Sequence, residues 1–465
     1  MIARILLCAL LAASTAAGGA EGSTGAAADE PTFSLIGRPE RIVPAGSPHA
    51  AVVLFSGAAG WGAAERAQAS ALAARGTVVF GIDTPATLKR IDTTAKAEDG
   101  DCAILIGEIE ALSHQAQRTL DSASYHFPLL AGVGDGGALA LAVGGQAEAA
   151  TIAGVLAVDP SPVLHTQRAI CSDGGRRASA GGYVYHLPPG HLPYSVDITL
   201  SAAATHAGRA HAQALVHGRA EVPLNQAAQP AAEAFAARLA VPPRAPASDG
   251  VDDLPLIELA AERPGDTFAV FYSGDGGWRD LDKDLAAILQ REGVSVVGVD
   301  VLRYFWKHRE PGPAAVDLGR IIRAYQHKWG AKRVALIGFS FGADVLPALY
   351  NRLDGAERAS VVQLSLLGLA ANASFEVTVS NWLNHDPGHA RSTLDEIARI
   401  PPQLLQCFYG EDDETAVCPH LQASGAEIIH TTGGHHFDGD YDALARHVLD
   451  GLARRTRTAP AAVHD

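Results

Sequence analysis

The sequence predicts an α/β chain built twice: two tandem units, each a mainly parallel sheet with helices on both faces. Three observations lead there. Short apolar runs alternate with longer stretches of helical spacing through residues 254–456. A Pro-rich linker at 241–253, opening Val241-Pro242-Pro243-Arg244-Ala245-Pro246, divides the chain. The motifs on one side of it recur, in the same order, on the other.

The recurrences are specific. Phe55-Ser56-Gly57-Ala58-Ala59-Gly60-Trp61 echoes Tyr272-Ser273-Gly274-Asp275-Gly276-Gly277-Trp278. Each is followed by a helical stretch and a strand ending Gly-x-Asp, at Asp83 and Asp300. Leu130-Ala131-Gly132-Val133-Gly134-Asp135-Gly136-Gly137 echoes Ile337-Gly338-Phe339-Ser340-Phe341-Gly342, which sets Gly134 where Ser340 stands. Residues 31–240 therefore read as a degenerate copy that binds, positions or stabilises, and 254–456 as the half with chemistry. In that half strands are expected at 267–272, 294–301, 333–337, 360–367, 403–409 and 427–431. A helix is expected over 314–329, where Leu318, Ile321, Ile322, Tyr325 and Trp329 share one face, and another over 441–453. Residues 372–399 interrupt the alternation and read as a lid.

Composition bounds the rest. A chain of 465 residues, 48% hydrophobic, suits two or three domains with ample core. A net charge of −15 speaks against nucleic-acid binding through a basic surface. Most of that charge lies in 249–465, where 31 acidic side chains face 20 basic ones, and it suits a cationic ligand and plain solubility equally. Residues 1–20 read as a secretory signal: Arg4, an apolar run over 5–13 too short to span a bilayer, then small residues with cleavage sites after Ala16, Ala17 or Ala20. Cys8 lies too early for lipid attachment, and a soluble exported protein is expected. The other four cysteines suit disulfides in an oxidising compartment. Pairing Cys102 with Cys171 and Cys407 with Cys418 would keep each bridge within one half, although spacing alone leaves connectivity open. No paired C-x-x-C is present, and Pro387 and Gly388 break any helix joining His385 to His389, so neither a metal nor another cofactor is expected.

Chemistry concentrates on Gly338-Phe339-Ser340-Phe341-Gly342, a G-x-S-x-G pentapeptide between an apolar strand and a helical stretch. Such a turn is too sharp for a Cβ two positions either side of the serine, hence the glycines. This is the nucleophile elbow of an α/β-hydrolase-like fold, in which the acid and then the histidine follow the serine along the chain. The acid falls in Gly410-Glu411-Asp412-Asp413-Glu414: Asp413 is favoured by its offset from the strand-end glycine, with Asp412 and Glu411 in reserve. In Gly433-Gly434-His435-His436, His435 is favoured over His436 as the base. The oxyanion hole needs two aimed N–H groups. Phe341 supplies one and Asp275 the other, with Gly276 in reserve. Asp344, Trp278, Tyr304 and Trp306 are candidate substrate contacts, the aromatics because they lie near strand ends where such sheets bind ligands.

Gly274-Asp275-Gly276-Gly277-Trp278, Leu302-Arg303-Tyr304-Phe305-Trp306, Gly338 through Pro347, and Gly433-Gly434-His435-His436-Phe437 together resemble the VirJ/AcvB family of bacterial virulence proteins, and the two-half layout resembles its longer members. The resemblance implies a periplasmic enzyme that hydrolyses aminoacylated phosphatidylglycerol, chiefly the lysyl form, at the membrane surface, and a link to type IV secretion components. By motif matching it carries the nucleophile to Ser340, the base to His435 and the acid, less directly, to Asp413. Two other readings stay open: an esterase or thioesterase of different specificity, and a non-enzymatic periplasmic adaptor of a secretion apparatus.

Overall fold

A computed structural model describes residues 32–94, 101–120, 122, 124–148, 150–190, 192–239, 250–251, 253–378 and 390–458. The proposed leader, most of the linker, and His385 and His389 lie outside the described residues. Among those described, no helix is long and apolar enough to cross a membrane.

Two seven-stranded sheets organise the chain. In space the first runs Glu40–Ile42, Thr77–Ile82, Ala50–Phe55, Pro128–Val133, Gly154–Val158, Ser195–Leu200, Leu224–Gln226. The second runs Leu256–Leu259, Ser295–Val299, Thr267–Tyr272, Arg333–Phe339, Val361–Leu367, Leu405–Gly410, Glu427–Thr431. In both, the first strand pairs antiparallel and every other pairing is parallel. Strand for strand the two orders coincide, so the recurrence seen in the sequence is a recurrence of fold.

Parallel strands buried on both faces need apolar side chains on both. Thr267–Tyr272 and Ser295–Val299 are buried at every position. One face of the second sheet is covered by the helices Pro311–Trp329 and Phe341–Tyr350, the other by Asp280–Arg291 and Tyr441–Thr458. Pro311–Trp329 begins on a proline that needs no N–H partner and stops at Gly330 in the left-handed region, φ 65°. Leu318, Ile321, Ile322 and Tyr325 are buried on its inner face, as their spacing predicts.

The echoed motifs perform the same mechanical tasks twice. Asp83 accepts from the N–H of Ala86 and Asp300 from that of Arg303, each capping the helix that follows its strand. The expected strand 294–301 is thereby cut short: it ends at Val299, and Val301–Tyr304 is helical. The glycine two positions earlier is needed because a tryptophan ring lies on it. A Cβ on Gly81 would come within 2.0 Å of Trp61, and one on Gly298 within 2.3 Å of Trp278.

The halves are packed together. Tyr125 of the first half is fully buried within the core of the second. Its ring lies 4.8 Å from that of Trp306, and the Arg118 guanidinium sits 3.6 Å over the Trp306 ring. Cys102 is bonded to Cys171 and Cys407 to Cys418.

Candidate active site

Ser340 joins the strand Arg333–Phe339 to the helix Phe341–Tyr350 at φ 51°, ψ −118°. A non-glycine residue is strained there. Its N–H donates to Leu367 O (2.8 Å), and its carbonyl accepts from Asp344 N (3.0 Å). The flanking glycines have a direct steric cause. A Cβ on Gly338 would lie 2.5 Å from the Gly342 backbone, and one on Gly342 would lie 2.2 Å from Tyr272 O. Phe341 is the first helical residue, so its N–H has no partner within the helix and is free to face the strand ends.

The loop 273–277 runs beside this elbow. A Cβ on Gly274 would lie 3.2 Å from the Phe339 ring and 3.9 Å from Ser340 Cβ. Gly277 N–H donates to Gly274 O (3.1 Å), closing a turn with Asp275 and Gly276 at its apex. The buried Asp282 carboxyl lies beside the Gly274 N–H. Burial pushes that carboxyl well above its usual range, against the N–H groups of Gly274 and Arg279. The apex amides of Asp275 and Gly276 are thus left between two fixed ends.

His435 and Asp413 arrive on neighbouring strands. Gly410 ends the strand Leu405–Gly410, and a Cβ there would lie 2.3 Å from the carbonyl oxygens of Gly433 and Gly434, which explains Gly410; Gly433 sits at φ 79° against Asp438. Asp412 N–H donates to Gly433 O (2.9 Å) and Asp413 N–H to Gly410 O (3.1 Å), so the two loops are laced together. His435 Nδ1 is bonded to Asp413 Oδ2 at 2.8 Å. The other oxygen, Oδ1, accepts from the hydroxyl (2.6 Å) and N–H (3.1 Å) of Thr415. Burial raises the Asp413 carboxyl, but the bonds from Thr415 and His435 outweigh it and hold the group below its usual range. Its side chain is 3% exposed, whereas Glu411 and Asp412 face solvent. The imidazole rests 5.4 Å from the Phe339 ring and over Gly368, where a Cβ would come within 2.8 Å of it. His436 packs on Phe339 from a second direction, also at 5.4 Å.

The His435–Asp413 pair, the elbow and the glycine loop thus share the carboxyl edge of one sheet, although no hydrogen bond joins His435 to Ser340 among the described residues. Asp344 lies one helical turn past the serine. Its carboxylate accepts from Ala370 N–H (2.8 Å), and burial, with Asp275 and Asp413 nearby, pushes it well above the usual range.

The aromatic candidates need correcting. Trp278, Tyr304 and Trp306 are 7%, 2% and 2% exposed and are core side chains. Trp278 covers Gly298, Tyr304 donates to Asp317 (2.7 Å), and the Trp306 ring is enclosed by Tyr125 and Arg118. None presents a face to a ligand. Three contributors went unread in the sequence. Gly368 was signalled only by a glycine after an apolar run. Glu110 and Arg279, which meet across the two halves at 2.7 Å, had no local signal at all.

Strand order, elbow and converging loops define a tandem α/β-hydrolase-like fold whose second copy bears a nucleophile elbow. Residues 266–456 match the family described as "Bacterial virulence protein (VirJ)", so the resemblance read from the motifs holds over the second half. No curated protein matches the chain. Among solved structures it is similar to a predicted CIB-like hydrolase from Thermoplasma acidophilum (16% identity, 43% of this chain and 91% of that one, TM-score 0.30). It is likewise similar to MenH from S. aureus (12%, 43% and 98%, 0.32) and to a proline iminopeptidase from Mycobacterium smegmatis (12%, 43% and 94%, 0.32). Scores at this level carry no argument about chemistry.

Proposed function

We propose that the second half is a serine esterase that hydrolyses aminoacylated phosphatidylglycerol, the lysyl form foremost, to free amino acid and phosphatidylglycerol in the periplasm. The observation that carries the reaction class is the His435–Asp413 pair held at the edge where Ser340 stands strained, while the equivalent elbow of the first half carries Gly134. His435 takes the proton of Ser340 Oγ, and the oxygen attacks the aminoacyl carbonyl carbon. The N–H groups of Phe341 and Asp275 stabilise the tetrahedral oxyanion. Collapse breaks the ester C–O bond, and His435 returns its proton to the glycerol oxygen of the departing lipid. Water, deprotonated by the same imidazole, then attacks the acyl-enzyme, releasing the amino acid and restoring Ser340. Asp413 holds the Nδ1–H side of the ring and stabilises the imidazolium.

Substrate class rests on charge and family. Asp275 and Asp413 lie close enough to the buried Asp344 carboxyl to raise its cost of ionisation further, and an ammonium-bearing acyl group would relieve it. The VirJ match supports the lipid assignment, and two disulfides suit an oxidising compartment. The test is lysyl-phosphatidylglycerol in vesicles, with free lysine measured. Wild type should release lysine and be labelled by a fluorophosphonate, and Ser340→Ala should do neither. A Ser340→Ala protein working at the wild-type rate would refute the mechanism. Wild type that neither labels nor cleaves would leave the adaptor reading.

A further inference from the structure

One helix of the first half, Ile106–Arg118, reaches the loops that border the candidate active site. Near its middle, Glu110 accepts from Arg279 Nη2 at 2.7 Å, and both side chains are about three-quarters buried, 23% and 22% exposed. Arg279 also reaches the oxyanion loop: Nε donates to Gly276 O at 2.7 Å. At the helix's last residue, Arg118 donates to the carbonyls of Trp306 and Val377.

We propose that Glu110 is a positioning residue for the esterase reaction, acting through Arg279 to fix the 274–277 turn that bears the second oxyanion donor. The inference rests on the esterase reading given above. The turn is closed by Gly277 N–H on Gly274 O. The apex is otherwise built from Asp275 and two glycines, residues that leave the peptide planes free to rotate. Arg279 Nε on Gly276 O holds the closing peptide of this turn, the one whose N–H bonds Gly274 O, and a guanidinium can be aimed only if another of its nitrogens is also held. Glu110 holds it. An oxyanion donor acts by being aimed before the charge develops, so a turn free to rotate loses rate without losing affinity for the ground state. This gives the degenerate half a task in the chemistry of the other.

The full chain must be used, because Tyr125 completes the core of the second half and its removal would confound any truncation. Glu110→Ala should lower kcat and kcat/KM on lysyl-phosphatidylglycerol vesicles together, by about tenfold, with KM and thermal midpoint little changed. The fluorophosphonate labelling rate should fall in parallel. Arg279→Gln should cost at least as much, and the double variant no more than Arg279→Gln alone. A charge swap, Glu110→Arg with Arg279→Glu, separates aiming from stapling. It restores an ion pair between the halves but leaves Gly276 O without a donor, so the rate should stay low. Recovery by the swap, or an unchanged kcat in Glu110→Ala, would overturn the assignment while leaving the esterase standing. A wild type that cleaves no ester would overturn both.

Discussion

Ser340 should destabilise the fold it serves, and by an amount the two halves allow to be worked out. At φ 51°, ψ −118° it occupies a region that costs a non-glycine residue about 1–3 kcal/mol. The first half makes the same turn at φ 60°, ψ −119° with Gly134, where no such cost arises. Ser340→Gly and Ser340→Ala both remove the hydroxyl and both should be inactive, so their difference isolates the Cβ. Glycine relieves the strain but gains about 0.4–1 kcal/mol of chain entropy in the unfolded state. The net expectation is that Ser340→Gly is more stable than Ser340→Ala by about 0.5–2 kcal/mol. For a unit of this size that is about 2–6 °C in melting temperature. Calorimetry or urea unfolding of the two variants in one buffer reads it directly. If the glycine variant melts at or below the alanine variant, the elbow stores no strain, and its positive φ is an ordinary turn.

Two further outcomes follow from named contacts. Asp413→Asn keeps the shape of the acid but presents the wrong partner to His435 Nδ1, so kcat should fall by about 10⁴-fold at nearly constant KM; a loss under tenfold would remove Asp413 from the relay. His114, set edge-on against Tyr125 at 4.6 Å between the halves, is lowered from 6.5 to about 4, by burial first and then by Arg279 and Arg118, with Glu110 opposing. Because its folded value is depressed, it contributes nothing to pH dependence above 6.5. As pH falls from there towards about 4 the unfolded chain takes up the proton first, and stability drops by up to roughly 3 kcal/mol. His114→Gln should flatten the fall in urea midpoint between pH 7 and pH 4.5, and an unchanged slope would assign the acid sensitivity to other groups.

What the sequence disclosed about the site is what local geometry forces. The glycines around Ser340 and those of the Gly-x-Asp strand ends are imposed by backbones or rings within 2–3 Å, and Gly433 by its positive φ, so they are written into the chain wherever the turn occurs. The strand Leu256–Leu259 escaped notice because an edge strand is half exposed and lacks a continuous apolar run. The aromatics at 304–306 were read as ligand-facing because they follow a strand end. Trp306 is buried because the other half covers it, through Tyr125 and Arg118, more than 180 positions away, while Tyr304 and Phe305 are buried by Asp317, Phe341 and Phe375 of their own half. No window of sequence contains that information.

The same distinction bears on why a half without a nucleophile accompanies one that has it. Everything the two copies share is structural: strand order, the tryptophan laid on a glycine, the aspartate cap and the elbow conformation. What they do not share is chemistry, and the contacts between them are unequal in the same sense. The first half lends Tyr125 to a core, Glu110 to a loop and Arg118 to two carbonyls, all on the elements that carry or border the candidate catalytic edge. A copy kept only for solubility would have no reason to aim three side chains there. On the esterase reading, the Ile106–Arg118 helix braces a turn built largely of glycine, an element on which an oxyanion donor stays aimed only with outside support.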